Sequence, residues 1–222
     1  MLKSLIFPAL LAVIVLARFD SDEEPCKEED VSTEPTSVAT DAPANLTCES
    51  GWKSFQRPSG EWCMKIVYEN SITQPVAEQR CQAQGATLSG LQNQLEMLYV
   101  TYTVTNEVFP ESGSVWVGMK RTETCANSTI SGNCKWDNSF EWTDRSATGI
   151  DGVNWAYNQP DNARELSQHC VVLSVGPSGY LHYAQIGLMD DIGCTFDFVA
   201  EDRKALDVKA FVCGKKPSVQ AN

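Results

Sequence analysis

Hydrophobic and polar positions divide this chain into three regimes. Residues 5–17 are a nearly unbroken apolar run. Residues 20–44 are polar and hold no aromatic side chain. From residue 48 to residue 214 the apolar positions become periodic. Within that stretch, Val76, Ala77, Arg80 and Cys81 follow helical spacing, with Pro75 near the first turn and Gly85 at the end. A helix is predicted over 71–85. Asn93 followed by Glu96 reads as a capping box opening a second helix through about Tyr102. Leu95, Leu98, Tyr99 and Tyr102 would form its apolar face. Three short strands are then predicted over 114–118, 170–173 and 210–213. Trp136, Trp142 and Trp155 fall in the long irregular region between the first two strands. Two helices followed by irregular β structure predict an α+β fold. An irregular region of that length inside a compact domain needs disulfides or ions to hold it.

The flanking regimes read as address and spacer. A positive start at Lys3, an apolar run too short to span a bilayer and a small residue at Ala17 fit a secretory leader over 1–18. No other stretch suits a membrane span. Residues 19–45 read as a disordered tether, because so polar a segment buries too little apolar surface to offset chain entropy. The folded domain is placed at 46–216, with a C-terminal tail at 217–222.

Charge and cysteine content narrow the function. The formal net charge is −12 and the sequence pI about 4.6, which opposes phosphate and excludes nucleic acid as a partner. Residues 20–44 hold nine acidic side chains against Lys27 alone, so most of that charge belongs to the tether. Nine cysteines with no paired Cys-x-x-Cys point to an oxidising, extracellular setting. Asn45 and Asn127 match the N-glycan acceptor pattern. His169 and His182 are the only histidines, neither sits in a catalytic motif, and no enzyme activity is expected.

The ordered motifs resemble a family. Cys48-Glu49-Ser50-Gly51-Trp52 followed by Trp62-Cys63 resembles the opening of a long-form C-type lectin-like domain. Trp116-Val117-Gly118-Met119 is similar to its central strand. Phe140-Glu141-Trp142-Thr143-Asp144 and Asn154-Trp155 resemble the approach to its ligand loop. Gln159-Pro160-Asp161-Asn162 resembles that loop's galactose-type tripeptide. Met189-Asp190-Asp191 precedes Cys194 where the family has Trp-Asn-Asp, and Ala210-Phe211-Val212-Cys213 resembles the last strand. The resemblance implies two helices, two small antiparallel sheets and a long disulfide-braced loop region. It implies Cys48 with Cys63, Cys81 with Cys213, and Cys170 with Cys194, and leaves Cys125 and Cys134 to pair locally. Cys26 is then an intermolecular bridge giving a dimer, or a free thiol.

It further implies a secreted protein recognising microbial or self glycans, or glycoproteins, as in innate immunity. A calcium ion would be held by Gln159, Asp161, Glu165, Asp190 and Asp191, with Gln168 joining them in contacts to the sugar. Calcium takes six to eight oxygen ligands, and a cis peptide before Pro160 would turn Gln159 and Asp161 to one side. Four departures accompany this: Gln168 replaces an acid, Asp190 an amide and Met189 a tryptophan, and no aromatic follows the tripeptide. A calcium-independent module that binds protein is the alternative. Trp52, Trp62, Trp116 and Trp142 are expected in the core.

Overall fold

A computed structural model describes residues 46–177, 185–196 and 207–219. The proposed leader, the tether with Cys26 and Asn45, His182 and residues 220–222 lie outside the described residues. So does most of the segment between Thr195 and Ala210. The chain divides into two units, Met1–Ala42 and Pro43–Asn222, and everything described belongs to the second.

The fold is α+β. A hairpin of β2 (Lys53–Arg57) and β3 (Gly60–Tyr68) leads to helix α1 (Gln74–Gln82), short strand β4 (Thr87–Leu88) and helix α2 (Gln94–Val108). Strands β5 (Gly113–Arg121) and β6 (Phe140–Trp142) pair next. A four-residue helical turn α3 (Ala163–Leu166), β7 (Cys170–Val175), β8 (Met189–Ile192) and β9 (Val208–Lys215) complete the main body. The two sheets are unequal. Eight strands form the larger, along the path β2-β3-β9-β5-β7-β8 with β4 and β6 attached. Its β5–β9 pair is parallel. The smaller joins β1 (Leu46–Thr47) to β10 (Ser218–Val219), so part of the expected tail is a strand.

Local chemistry explains the helices. The Thr73 side chain caps α1 by accepting from the Val76 N–H, Pro75 sits in the first turn, and Gly85 follows the helix at φ +65°. Asn93 caps α2, accepting from the Leu95 and Glu96 amides. Glu96 reaches past the cap residue to the Gln92 N–H, so the box is displaced by one residue. The buried face of α2 is Glu96, Met97, Val100, Thr101 and Val104. Leu95, Leu98 and Tyr102 are exposed, which corrects the predicted face. Tyr99 alone of that set packs inward, against Phe55 with ring centroids 5.2 Å apart.

Strand alternation sorts the core into two clusters. On β5, Val115, Val117 and Met119 face one and Trp116 the other. On β7, Val171, Leu173 and Val175 join the first, Cys170 and Val172 the second. Trp62 and Trp116 are fully buried, while Trp52 and Trp142 pack at the edges. Gly118 is required because β4 crosses its Cα closely: an added Cβ would lie 2.1 Å from the Leu88 carbonyl oxygen. Four disulfides close the described domain: Cys48–Cys63, Cys81–Cys213, Cys125–Cys134 and Cys170–Cys194. The Cys81–Cys213 bridge ties α1 to β9 across 132 residues.

Candidate functional site

The ligand loop meets β8 around one buried arginine. Arg121 ends β5 and continues the inward series Val115, Val117, Met119. Asp191 continues from inward-facing Met189 on β8. In register, β7 separates them, with Val171 opposite Asp191. The shared face lets the guanidinium cross the end of β7 and ion-pair with Asp191 through Nη2. Both side chains are fully buried. Arg121 Nε donates to the Gln168 carbonyl at 3.1 Å, and the guanidinium lies 4.4 Å from the Phe140 ring centroid.

Asp191 also organises the loop. Its Oδ1 accepts from the Asp161 N–H and its Oδ2 from the Asn162 N–H, both at 2.9 Å. The Gln159–Pro160 peptide is cis. Gln159 Oε1 accepts from the Asp161 N–H as well, at 2.9 Å, and Asp161 Oδ1 accepts from the Ala163 N–H at 3.0 Å. Asn162 is buried, donates to the Ala126 and Ser128 carbonyls and accepts from the Gln168 N–H. That places the insertion after β5 against the loop. The chain then turns through Asn162, Arg164, Glu165 and Leu166, all at positive φ. Such geometry is costly for residues with a Cβ.

The sequence-predicted residues therefore have different fates. Gln159, Asp161, Asp190 and Asp191 are brought to one loop–strand junction. Glu165 stays exposed on the left-handed turn, with no hydrogen bond or ion pair to the other four. Gln168 is buried and engaged through its backbone, while its Oε1 has no partner. His169 is tied to the Leu166 carbonyl through Nε2, at 3.0 Å.

Electrostatics make the junction unusual. Burial, with repulsion from Asp191 and Asp161, pushes the Asp190 carboxyl up to about 8. Its Oδ1 is buried and unpartnered. Burial also raises Asp191, opposed by Arg121 and the Asn162 and Asp161 amides. Arg121 is lowered by burial, opposed by Asp191 and Asp161, yet an arginine remains charged at any physiological pH.

This donor set does not fit calcium. The ion requires six to eight oxygens. Asp191 already serves three donors, and Gln159 Oε1 and one Asp161 oxygen serve backbone amides. Arg121 puts a fixed positive charge against the buried Asp191 carboxylate. Among the described residues, no three His, Cys, Asp or Glu side chains are grouped to hold a metal ion. Arg121 was missed in the sequence. Its signal was parity: it has the same odd-numbered spacing on β5 as the core residues before it.

Beside Gln159 the surface opens into a cleft of about 510 Å³. Ile130 and Trp136 come from the insertion, and Asn154, Trp155, Asn158 and Gln159 from the loop before the cis peptide. Trp155 donates from its indole to the Trp136 carbonyl at 3.1 Å and packs on Phe140, ring centroids 5.1 Å apart.

Known proteins are similar to this chain in sequence and in fold. The rat (Rattus norvegicus) versican core protein is 26% identical over 170 residues, 77% of this chain but 5% of that protein. Human (Homo sapiens) C-type mannose receptor 2 is 24% identical over 132 residues, 60% of this chain and 7% of that protein. The chain thus spans only a small part of these relatives. The crystal structure of human lithostathine superimposes with a TM-score of 0.50 at 16% identity, covering 81% of this chain and 99% of that one, and shows the fold. The family described as C-type lectin domain-containing protein 141/158 matches residues 54–216, and with most of its length inside that match the chain belongs to this C-type lectin domain family.

Proposed function

We propose that this chain is a secreted lectin-like module that recognises glycan without calcium. The buried Arg121–Asp191 pair carries the reading: the Asp191 carboxylate already has a permanent cation and two amide donors. The protein supplies internally the positive charge that a bound ion would bring. The ligand loop is therefore shaped before any metal is added, since Asp191 itself ties down the Asp161 and Asn162 amides. Recognition involves no covalent change.

Family membership supports carbohydrate as the ligand class at a coarse level. Four disulfides support an oxidising compartment, in keeping with residues 1–18 as a leader and 19–45 as a spacer before the domain at 46–216. In this reading the galactose-type loop sequence is kept as architecture rather than as a metal cage.

A glycan array read in millimolar calcium and again in chelator tests the proposal. The expected result is the same set of bound glycans in both conditions, with an unchanged melting temperature. Binding lost in chelator would sink the calcium-free reading. An array blank in both conditions would sink the carbohydrate reading.

A further inference from the structure

Resting on that reading, we infer that the cleft between the Cys125–Cys134 insertion and the 153–159 loop is the sugar site, and that it takes an uncharged hexose-containing glycan stacked on Trp136. Its lining combines two indoles, three amides and the aliphatic Ile130, Val153 and Ala156, and contains no ionisable side chain. A sialylated, sulfated or uronic-acid ligand finds no countercharge there. A neutral sugar presents an apolar ring face and a rim of hydroxyls, which suits an indole face flanked by amides. Asn158 carries both a donor and an acceptor, and Asn154 Oδ1 and Gln159 Nε2 add an acceptor and a donor beyond the bonds that hold those side chains, so hydroxyls of either polarity are matched. The volume of about 510 Å³ falls within the range of small-ligand pockets.

The walls are held before a ligand arrives. Trp155 is fixed by its bond to Trp136 and its contact with Phe140. The 153–159 loop is laced to β8, with the Met189 N–H on the Asn154 carbonyl at 2.7 Å and the Ala156 N–H on the Met189 carbonyl at 2.9 Å. Asn154 Nδ2 is held by the Gly187 carbonyl at 3.3 Å. The insertion wall is closed by Cys125–Cys134 and anchored through Asn162. Preorganisation of this kind lowers the ordering cost of binding. Trp136 is 51% exposed although it is the largest type of apolar side chain, and its free face is where a sugar ring would lie.

The test uses the full disulfide-intact chain in chelator. Lactose and cellobiose are the neutral probes, and a uronic-acid disaccharide is the charged control. Binding is read from shifts of the indole N–H resonances and from tryptophan emission. A neutral disaccharide is expected to shift indole signals, and the control to shift none. Trp136→Ala is expected to weaken binding about tenfold or more, and Trp136→Phe by no more than about threefold. Asn158→Ala is expected to weaken binding, and Glu107→Gln, exposed on α2 away from the cleft, to leave it unchanged. Each variant is first checked for an unchanged melting temperature. Sugar binding that survives Trp136→Ala but is lost in Asp161→Asn would overturn the cleft while leaving the lectin reading standing. A stronger response to the uronic-acid control would also overturn it. Lack of response to both neutral probes, together with a blank array, would overturn the two readings at once.

Discussion

Arg57 and Arg121 are built to one plan and finished differently. Each is the last residue of a strand, each is fully buried, and each lies over an aromatic ring, Trp62 at 4.8 Å and Phe140 at 4.4 Å. Arg57 engages Glu96 through Nε at 2.9 Å and Nη2 at 2.7 Å, Asp144 through Nη1 at 2.9 Å, and the Gly90 carbonyl through Nη2 at 2.9 Å. Asp144 in turn accepts from the Gly90, Ser146 and Ala147 amides. Every nitrogen of that guanidinium is used. Around Arg121, by contrast, Nη1 is buried without a partner, as are Gln168 Oε1 and Asp190 Oδ1. Native interiors rarely leave such groups unpaired. The first centre joins β2, α2 and the segment after β6 as pure architecture. The second sits at the ligand loop and trades hydrogen-bond completeness for a fixed local charge.

Removing the architectural arginine should cost most. Arg57→Met leaves Glu96 and Asp144 buried without their cation. Breaking one buried pair typically costs about 3–5 kcal/mol, and two carboxylates place this variant at the upper end. Urea unfolding at neutral pH measures it. A midpoint close to wild type would mean that the backbone amides around Asp144 and Glu96 suffice, and the contrast drawn above would collapse.

Arg121→Met should cost less, about 2–3 kcal/mol, because Asp191 keeps two amide donors and an unpaired Nη1 is removed. The double variant Arg121→Met, Asp191→Asn should recover part of that loss, since no buried charge remains unpaired. The same pair tests the calcium reading from the opposite side. Wild type should melt at one temperature in calcium and in chelator. If the wild-type melting temperature rises with calcium, the internal-cation reading fails, whatever the variants do.

The limits of sequence reading follow from distance and from parity. The cysteine ladder, the capped helix starts and the three central strands were legible because each rests on neighbouring residues or on an ordered motif set. The face of α2 was not. Leu95-Leu98-Tyr102 and Met97-Val100-Val104 both follow helical spacing, and buried Glu96 counts against the stripe that truly faces inward. Glu96 is inside because Arg57, 39 residues earlier, meets it there. Arg121 and Asp191 are 70 residues apart, and no local pattern joins them. The cleft escaped notice because Trp136 comes from the insertion and its neighbours from another loop. The strand at Ser218–Val219 lacked a distinctive alternation to announce it.

The remaining prediction concerns a slope rather than a loss, bounded at about 1.4 kcal/mol per pH unit for one group. The Asp190 carboxyl stands near 8 in the folded protein against an ordinary value of 3.8. Between those values the native state holds a proton that the unfolded chain has released. The native state then binds more protons, so stability must fall as pH rises through that window and level off above it. Asp191 is raised as well and adds in the same direction, with Arg121 working against it. Asp190→Asn cannot ionise, so the slope should shrink to what Asp191 and the ordinary surface groups leave. Below about pH 4 the variant and wild type should unfold at similar urea concentrations, and near pH 9 the variant should be the more stable. Urea midpoints across the range decide the matter. A wild type that gains stability from about pH 5 to about pH 8, or an unchanged slope in Asp190→Asn, would show that Asp190 is not the uncompensated acid of the junction. The two arginine centres would then differ only in hydrogen-bond count, not in charge balance.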